Sequence, residues 1–240
     1  MNPPKRSPGV PPTILVVDAG GSNIKLMRSG SSERIKFESG PHCTPRQMMA
    51  SIRKFAGAWQ YDAVTLGLPM PIVHNQPVRE PNNLGRGWVK FDFAAAFGKP
   101  CKLINDAAMQ ALGTYEGGRM LFLGLGTGLG SAMVFNNVVI SLELSELSFT
   151  QQRSFEYMVG REGRKRLGQK KWEEALDRIV TILKYAFITD YIVIGGGNAR
   201  HVEKLPKGTR LGDNRNAFLG GLRVWGAGKP VGKTRDFILR

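Results

Sequence analysis

The chain of 240 residues carries 34 Lys+Arg against 19 Asp+Glu, a formal charge of +15, and is 42% apolar. That apolar share builds a core, so a disordered basic tail is excluded, and the length suits one large domain or two lobes around a cleft. No apolar run approaches the ~20 residues that span a bilayer, Met1–Pro12 has no apolar signal region, and two cysteines, Cys43 and Cys101, make neither a disulfide framework nor a four-cysteine zinc site.

A reducing cytoplasm and no membrane span are the expectations. Residues 1–12, with five prolines, read as a loose tail. Thr13–Asp18 reads as a buried strand, Ala19–Asn23 as a glycine turn and Ile24–Arg28 as a returning strand, with weak strand character around Ile35 and Phe37. From Pro45 the period changes: Met48, Ile52, Phe55 and Trp59 fall on one helical face. Ala63–Leu68 is the next strand, followed by a loop through Pro81-Asn82-Asn83-Leu84-Gly85. A short helix is expected over Phe91–Phe97 and a strand over Lys102–Ile104, which delivers Asn105-Asp106 to its end.

Ala107–Tyr115 reads as a helix, and the pattern then restarts. Met120–Leu125 is a strand, Gly126–Gly130 a turn, Ser131–Phe135 a returning strand and Val138–Leu142 a third. Trp172, Ala175, Ile179, Leu183 and Ala186 mark a long amphipathic helix, and Tyr191–Ile194 is a last strand running into Gly195-Gly196-Gly197-Asn198. The repetition predicts an α/β fold of two lobes, residues 13–107 and 108–225, around a central cleft, with a basic tail over 226–240.

Five segments carry chemistry. In the first, Asp18-Ala-Gly-Gly-Ser-Asn-Ile-Lys25, Gly20 and Gly21 let backbone amides approach an anion, Ser22 and Asn23 add donors, and Lys25 adds charge. Asp18 at the strand end is placed to hold Mg²⁺ or its waters. An ordinary hairpin, with glycines serving only positive φ, is the competing reading. Gly126-Thr127-Gly128-Leu-Gly130 occupies the equivalent place in the second half, where a facing turn would clamp a phosphate chain.

Asn105-Asp106 opens a helix, where both residue types are common N-caps, yet a carboxylate there also suits a general base. Glu143 and Glu146 offer acceptors to sugar hydroxyls, or are solvated surface acids. The glycines of 195–197 admit a flat ring or phosphate close to backbone, or form a helix-start turn with Asn198 as cap.

Other signals point to nothing further. Ala227–Thr234 looks like a loosened P-loop but lacks the leading glycine and the helix that must follow. The basic run Arg161–Arg166 with Lys170-Lys171 reads as a solvated helix face. His42, His74 and His201 have no partners at ligand spacing. A charge of +15 makes nucleic acid the first partner to consider, but no zinc-finger, RNP or helix-turn-helix signature accompanies it.

Taken together, Val-Asp-Ala-Gly-Gly-Ser-Asn-Ile-Lys25, Pro-Asn-Asn-Leu-Gly-Arg-Gly-Trp88, Ile-Asn-Asp-Ala-Ala108, Leu-Gly-Thr-Gly-Leu-Gly-Ser-Ala132 and Tyr-Ile-Val-Ile-Gly-Gly-Gly-Asn-Ala199 resemble the polyphosphate-using glucokinases of the ROK group, in the actin-like sugar-kinase superfamily. Residues 211–221 and Gly168–Trp172 resemble the polyphosphate-using branch in particular. The resemblance implies the actin-like (RNase H-like) two-lobed fold, and transfer of a phosphoryl group from polyphosphate and/or ATP to the 6-hydroxyl of glucose. Asp106 would be the base, and Asn83, Asn105, Glu143 and Glu146 would meet the sugar. Asp18, Gly20, Gly21, Ser22, Asn23, Lys25, Thr127 and Gly128 would meet phosphate, and Gly195, Gly196, Gly197 and Asn198 would lie at the far end of the donor.

Mg²⁺ and a homodimer are also implied, while the zinc-binding cysteine cluster of typical ROK kinases is missing, as in the polyphosphate branch. Two positions depart from the pattern: Ser145-Glu146 stands where Gly-His is usual, and Met70 where glycine is usual. Both bear on which sugar is taken, so an ATP-dependent kinase of another hexose is the nearest alternative, and a non-catalytic polyphosphate-binding protein the more distant one. Glu146 would add negative charge beside Asp106 and is expected to raise the pKa of one of these two carboxyls. The charge of +15 then reads as a track for a long phosphate chain, with nucleic acid only an incidental competitor.

Overall fold

The computed structural model describes residues 11–213, 215–226 and 238–239. Strands β1 (Ile14–Ala19), β2 (Asn23–Arg28) and β3 (Arg34–Glu38) form an antiparallel meander. Helix α1 (Pro45–Ala56) follows, started by a capping box between Thr44 and Gln47 with Pro45 in its first turn. Next come β4 (Ala63–Leu68), a small hairpin of β5 (Ile72–Val73) and β6 (Gln76–Pro77), α2 (Phe93–Phe97) and β7 (Cys101–Asn105). The first sheet has the order β3-β2-β1-β4-β7, with β4 parallel to both β1 and β7.

After α3 (Asp106–Thr114) the plan repeats. Strands β8 (Met120–Leu125), β9 (Leu129–Phe135) and β10 (Val138–Leu142) form a second meander, followed by the hairpin β11 (Ser148–Thr150)–β12 (Arg153–Ser154) and helices α4 (Phe155–Val159) and α5 (Arg161–Phe187). Strand β13 (Tyr191–Gly195) lies parallel to β8, and β14 (Thr209–Leu211) parallel to β13. Helix α6 (Asn216–Arg223) then returns towards the first sheet, and β15 (Ile238–Leu239) adds to the edge at β10. The second sheet reads β14-β13-β8-β9-β10-β15.

Alternation along the central strands sets the layers. Leu15 and Val17 face a core with α1, Trp88 and Phe93, while Ile14 and Val16 face one shared with α3, α6, Met120 and Phe122. Leu121 and Leu123, on the other side of β8, pack on Trp172, Ile179 and Leu183 of α5. The result is helix, sheet, helix pair, sheet, helix. The middle pair packs closely because Gly113 faces the Asn216 carbonyl and Gly220 the Met109 carbonyl, leaving no room for side chains.

Several expectations shift. Helix α1 ends at Ala56, so Trp59 lies past it, and Phe55 is 47% exposed because the buried stripe is Met48, Met49, Ile52 and Ala56. The helix over Phe91–Phe97 begins only at Phe93, where Asp92 caps it. Ala186 is exposed on α5, and the basic run before it lies in the same helix, kinked at Gly168 with φ 73°. Part of the basic C-terminal tail is strand β15, and the P-loop look-alike lies outside the described residues, as do residues 1–10. No helix among the described residues is long and apolar enough to cross a membrane.

Candidate active site

A cleft of about 440 Å³ opens between the two sheets. Its walls bring together all but one of the residues singled out from sequence: Asp18, Gly20, Gly21, Ser22, Asn23, Lys25, Asn83, Asn105, Asp106, Thr127, Gly128, Glu143, Glu146, Gly196, Gly197 and Asn198. Gly195 is the exception. It is buried behind the cleft wall, where a Cβ would meet the Phe122 ring at 2.6 Å.

The first wall is the β1–β2 hairpin. Register places Asp18 directly opposite Lys25, and Lys25 Nζ donates to Asp18 Oδ2 at 2.9 Å. Asp18 is buried, whereas Lys25 keeps much of its surface in the cleft. The hairpin glycines are not there for positive φ: Gly20, Gly21, Gly126 and Gly128 all avoid that region. Close approach is the reason instead, since a Cβ on Gly21 would come 2.8 Å from Cβ of Asn83. The loop carrying Asn83 and the β1–β2 turn are therefore in contact.

The floor is the β7–α3 junction. Asn105 Oδ1 accepts from the Ala107 and Ala108 amides at 3.0 and 3.1 Å, so the ordinary N-cap role is real, and its Nδ2 donates to the Met70 carbonyl at 3.4 Å. Asp106 is the first residue of α3, its Oδ1 accepting from the Ala107 amide at 2.8 Å. Burial, then the charge of Asp18 and more weakly that of Glu143, push its carboxyl up to about 7 against the pull of that amide and of Lys25.

The far wall belongs to the second sheet. Ser131 Oγ donates to the Leu142 carbonyl at 2.8 Å and accepts from the Leu144 amide at 3.1 Å, which pins the turn carrying Glu143. Burial also raises Glu143; the Arg79 guanidinium, 3.6 Å away, pulls it down, and Glu146 and Glu156 push it up. The charge of Glu146 thus acts on Glu143 and is not among the influences that raise Asp106, where the coupling was expected. Asn198 ties the glycine segments together, its Nδ2 donating to the Gly126 carbonyl at 2.9 Å and its amide to Leu125 O at 2.8 Å. Gly196 makes that junction possible with φ 82° over the Leu125 carbonyl.

Arg79, Gln110 and Glu156 also line the cleft and carried no sequence motif, and Arg161, first of the basic run expected as a solvated helix face, lines it too. Glu156 accepts from the Leu129 amide at 3.1 Å, and its carboxylate fills the space beside Gly128. Among the described residues no group of three or more His, Cys, Asp or Glu could hold a metal by itself, and His42, His74 and His201 remain apart from any such group.

No family model matches the sequence. A polyphosphate glucokinase of Mycobacterium tuberculosis is 25% identical over 209 residues, covering 78% of this chain and 78% of that one. The crystal structure of the inorganic polyphosphate/ATP-glucomannokinase of Arthrobacter sp. strain KM superposes with a TM-score of 0.73 at 22% identity, over 87% of this chain and 96% of that chain. The ROK family glucokinase of Streptomyces griseus, solved with glucose and AMPPNP, gives 0.63 at 14% identity, over 95% of this chain and 94% of the other. The fold is the two-lobed actin-like fold of the ROK sugar kinases, and the chain is a phosphotransferase of the sugar-kinase class. Within that class its sequence resembles the polyphosphate glucokinases.

Proposed function

We propose that the protein moves the terminal phosphoryl group of inorganic polyphosphate or ATP to the 6-hydroxyl of glucose, with Asp106 as general base. The observation that carries this reading is the place of Asp106: on the cleft floor beside both the Asp18–Lys25 hairpin and the Glu143 turn, with a carboxyl raised to about 7. A base poised near neutrality accepts a hydroxyl proton and releases it again without a large cost in either direction. The sugar O6 forms its bond to the terminal phosphorus as the bridging P–O bond breaks; the O6 proton goes to Asp106, and the shortened chain or ADP leaves with the bond electrons.

Asn83, Asn105 and Glu143 hold the sugar in this reading, with Glu146 beside them. The hairpin from Gly20 to Lys25 and the turn at Thr127-Gly128 hold the phosphates, and Gly196–Asn198 lie towards the rest of the donor. Phosphoryl transfer needs mostly positioning and charge neutralisation. Mg²⁺ fits the donor set, because Asp18 commits one oxygen to Lys25 and has a second, and this ion commonly takes one or two carboxylates plus substrate phosphates. When bound it would neutralise charge on the phosphate oxygens.

A coupled assay for glucose 6-phosphate, run with polyphosphate and with ATP, tests the reading. Turnover with either donor is expected, and Asp106→Asn should lose nearly all of it while remaining folded. Near-normal turnover in that variant overturns the mechanism; binding of polyphosphate without turnover of any hexose leaves a binding protein on the same fold. A second acceptor reading, another hexose, is favoured by Glu146 and by the bulk of Met70, which is buried at the cleft and bonded through its carbonyl to Asn105. A panel of hexoses in the same assay decides between them.

A further inference from the structure

Four cations near the second sheet are held in ion pairs. Lys165 pairs with Glu162, Arg119 with Asp190, Arg210 with Glu116 and Arg215 with Asp213. Among the described residues Arg161, Arg164 and Arg200 have no carboxylate within ion-pair distance. Glu173 of α5 accepts through Oε1 from the amides of Glu203 and Lys204 and from the Gln169 side chain.

These three arginines follow a course out of the cleft. Arg161 lines it, and its amide donates to the Thr127 carbonyl of the second glycine turn at 3.3 Å. Arg164 lies one helical turn further along α5, with an Nε closed off from solvent and without a hydrogen-bond partner. Arg200 and His201 belong to the short turn Ala199–His201, which directly follows the cleft residue Asn198. Arg200 Nε is 3.2 Å from His201 Nε2, and Gln169 Nε2 donates to the His201 carbonyl, joining this turn to α5. The charges of Arg164 and Arg200 both reach the imidazole and, after burial, hold its pKa down.

Unpaired guanidiniums next to one another repel, and a partly closed Nε without an acceptor carries a desolvation cost. A polyanion relieves both at once. Guanidinium forks match phosphate oxygens, and a linear chain offers one charged group after another along the course. A nucleotide reaching the same place presents an uncharged ribose and base.

We propose that Arg164 and Arg200, with His201, bind the part of a polyphosphate chain lying beyond the groups held in the cleft, and so set a preference for long chains over tripolyphosphate and ATP. This rests on the reading of the cleft as a polyphosphate- or ATP-using kinase site and adds to it the place where the chain leaves.

The test compares wild type with Arg164→Gln/Arg200→Gln, measuring KM and kcat for long-chain sodium polyphosphate, for tripolyphosphate and for ATP, each over a range of NaCl. For the double variant, KM for the long chain should rise on the order of ten-fold or more, while tripolyphosphate and ATP stay within about two-fold. The slope of log kcat/KM against log salt for the long chain should flatten by about one per cation removed. Arg164→Lys/Arg200→Lys should restore much of the salt slope. Because the Arg164 Nε is enclosed, Arg200→Gln alone carries the comparison if the double variant melts early.

An unchanged ratio of long chain to ATP, or equal losses with all three donors, overturns the proposal while the kinase reading stands. A wild type that uses ATP but no polyphosphate of any length overturns the polyphosphate donor and this proposal together.

Discussion

Asp18 and Asp106 stand at the ends of two strands of the same sheet and face one cleft, and the charge of Asp18 is the largest influence after burial in raising the Asp106 carboxyl to about 7. Lys25 opposes this from the neighbouring strand, where it is hydrogen-bonded to Asp18. The Asp106 carboxyl is therefore tuned by its environment rather than by its residue type.

A pH dependence of activity follows. If Asp106 takes the O6 proton as proposed, the acceptor is its deprotonated carboxylate, so kcat/KM should climb as pH rises through about 7 and level off above it. Asp18→Asn removes a like charge, so its residual activity, normalised to its own maximum, should climb at lower pH than wild type. A limb that stays in place in that variant would show that Asp106 is not the group being titrated.

Stability carries the opposite sign. The Asp106 carboxyl is raised from an ordinary 3.8 to about 7 on folding, so the folded state holds the proton more tightly. That contribution is complete below the unfolded value and lost as pH rises through about 7. Asp106→Asn never ionises and should therefore gain on wild type at pH 8 by up to about 4 kcal/mol, with the gain shrinking towards pH 4. Urea melts of both proteins at the two pH values check it; a constant difference counts against the shift.

Much of this arrangement was legible before any coordinates, for a reason visible in β1 and β4. Strands buried on both faces are written as unbroken apolar runs, and the glycine turns that follow them are equally plain. Phe55 misled because its spacing fits a helical face, yet it stacks on Phe37 at 5.1 Å near the sheet margin instead of entering the core. Helix α6 was not legible at all: two adjacent glycines weaken any helix reading, and what they are for, contact with Met109 and Val16, exists only in the folded chain. Within the cleft the motif residues could be found, but Arg79 and Glu156 come from segments without signature, and Arg161 from a basic run whose charge pattern reads as a solvated helix face until the start of α5 brings it to the cleft. The failure of Gly195 is the same kind of fact, since strand β13 runs one residue further than expected and turns that glycine inward.

Gly21→Ala offers a test of the contact between the two substrate ends. The added Cβ would meet Asn83 at 2.8 Å and must displace it. Although Gly21 belongs to the hairpin assigned to phosphate, the variant should raise KM for glucose more than KM for ATP, by on the order of ten-fold. Initial-rate measurements with each substrate varied in turn decide the matter, and a purely donor-side defect would contradict it.

Asn198→Ala removes the only side-chain link drawn above between the Gly196–Asn198 segment and the Gly126 turn, a bond of 2.9 Å made by a buried side chain. Losing it leaves the Gly126 carbonyl without that donor, which should cost about 1–2 kcal/mol of stability. The second phosphate turn loses its anchor as well, so donor KM should rise for both polyphosphate and ATP while glucose KM changes little. Thermal melts together with donor titrations give both numbers, and a glucose-specific effect would speak against this role.

The last prediction concerns Glu143, whose carboxyl is raised by burial, lowered by Arg79 and raised again by Glu146 and Glu156. Arg79→Ala deletes the one opposing cation, 3.6 Å from Glu143, and should move that carboxyl further up; Glu146→Gln deletes a like charge and should move it down. If ionised Glu143 accepts from sugar hydroxyls, glucose KM worsens as pH falls through its pKa. The onset of that loss should then lie at higher pH in Arg79→Ala and at lower pH in Glu146→Gln than in wild type. Because both side chains are half exposed, water and salt damp the shifts, which should widen at low salt. Measuring glucose KM from pH 4 to 8 at two ionic strengths reads the order directly, and shifts in the same direction for both variants would rule out Glu143 as the titrating sugar ligand.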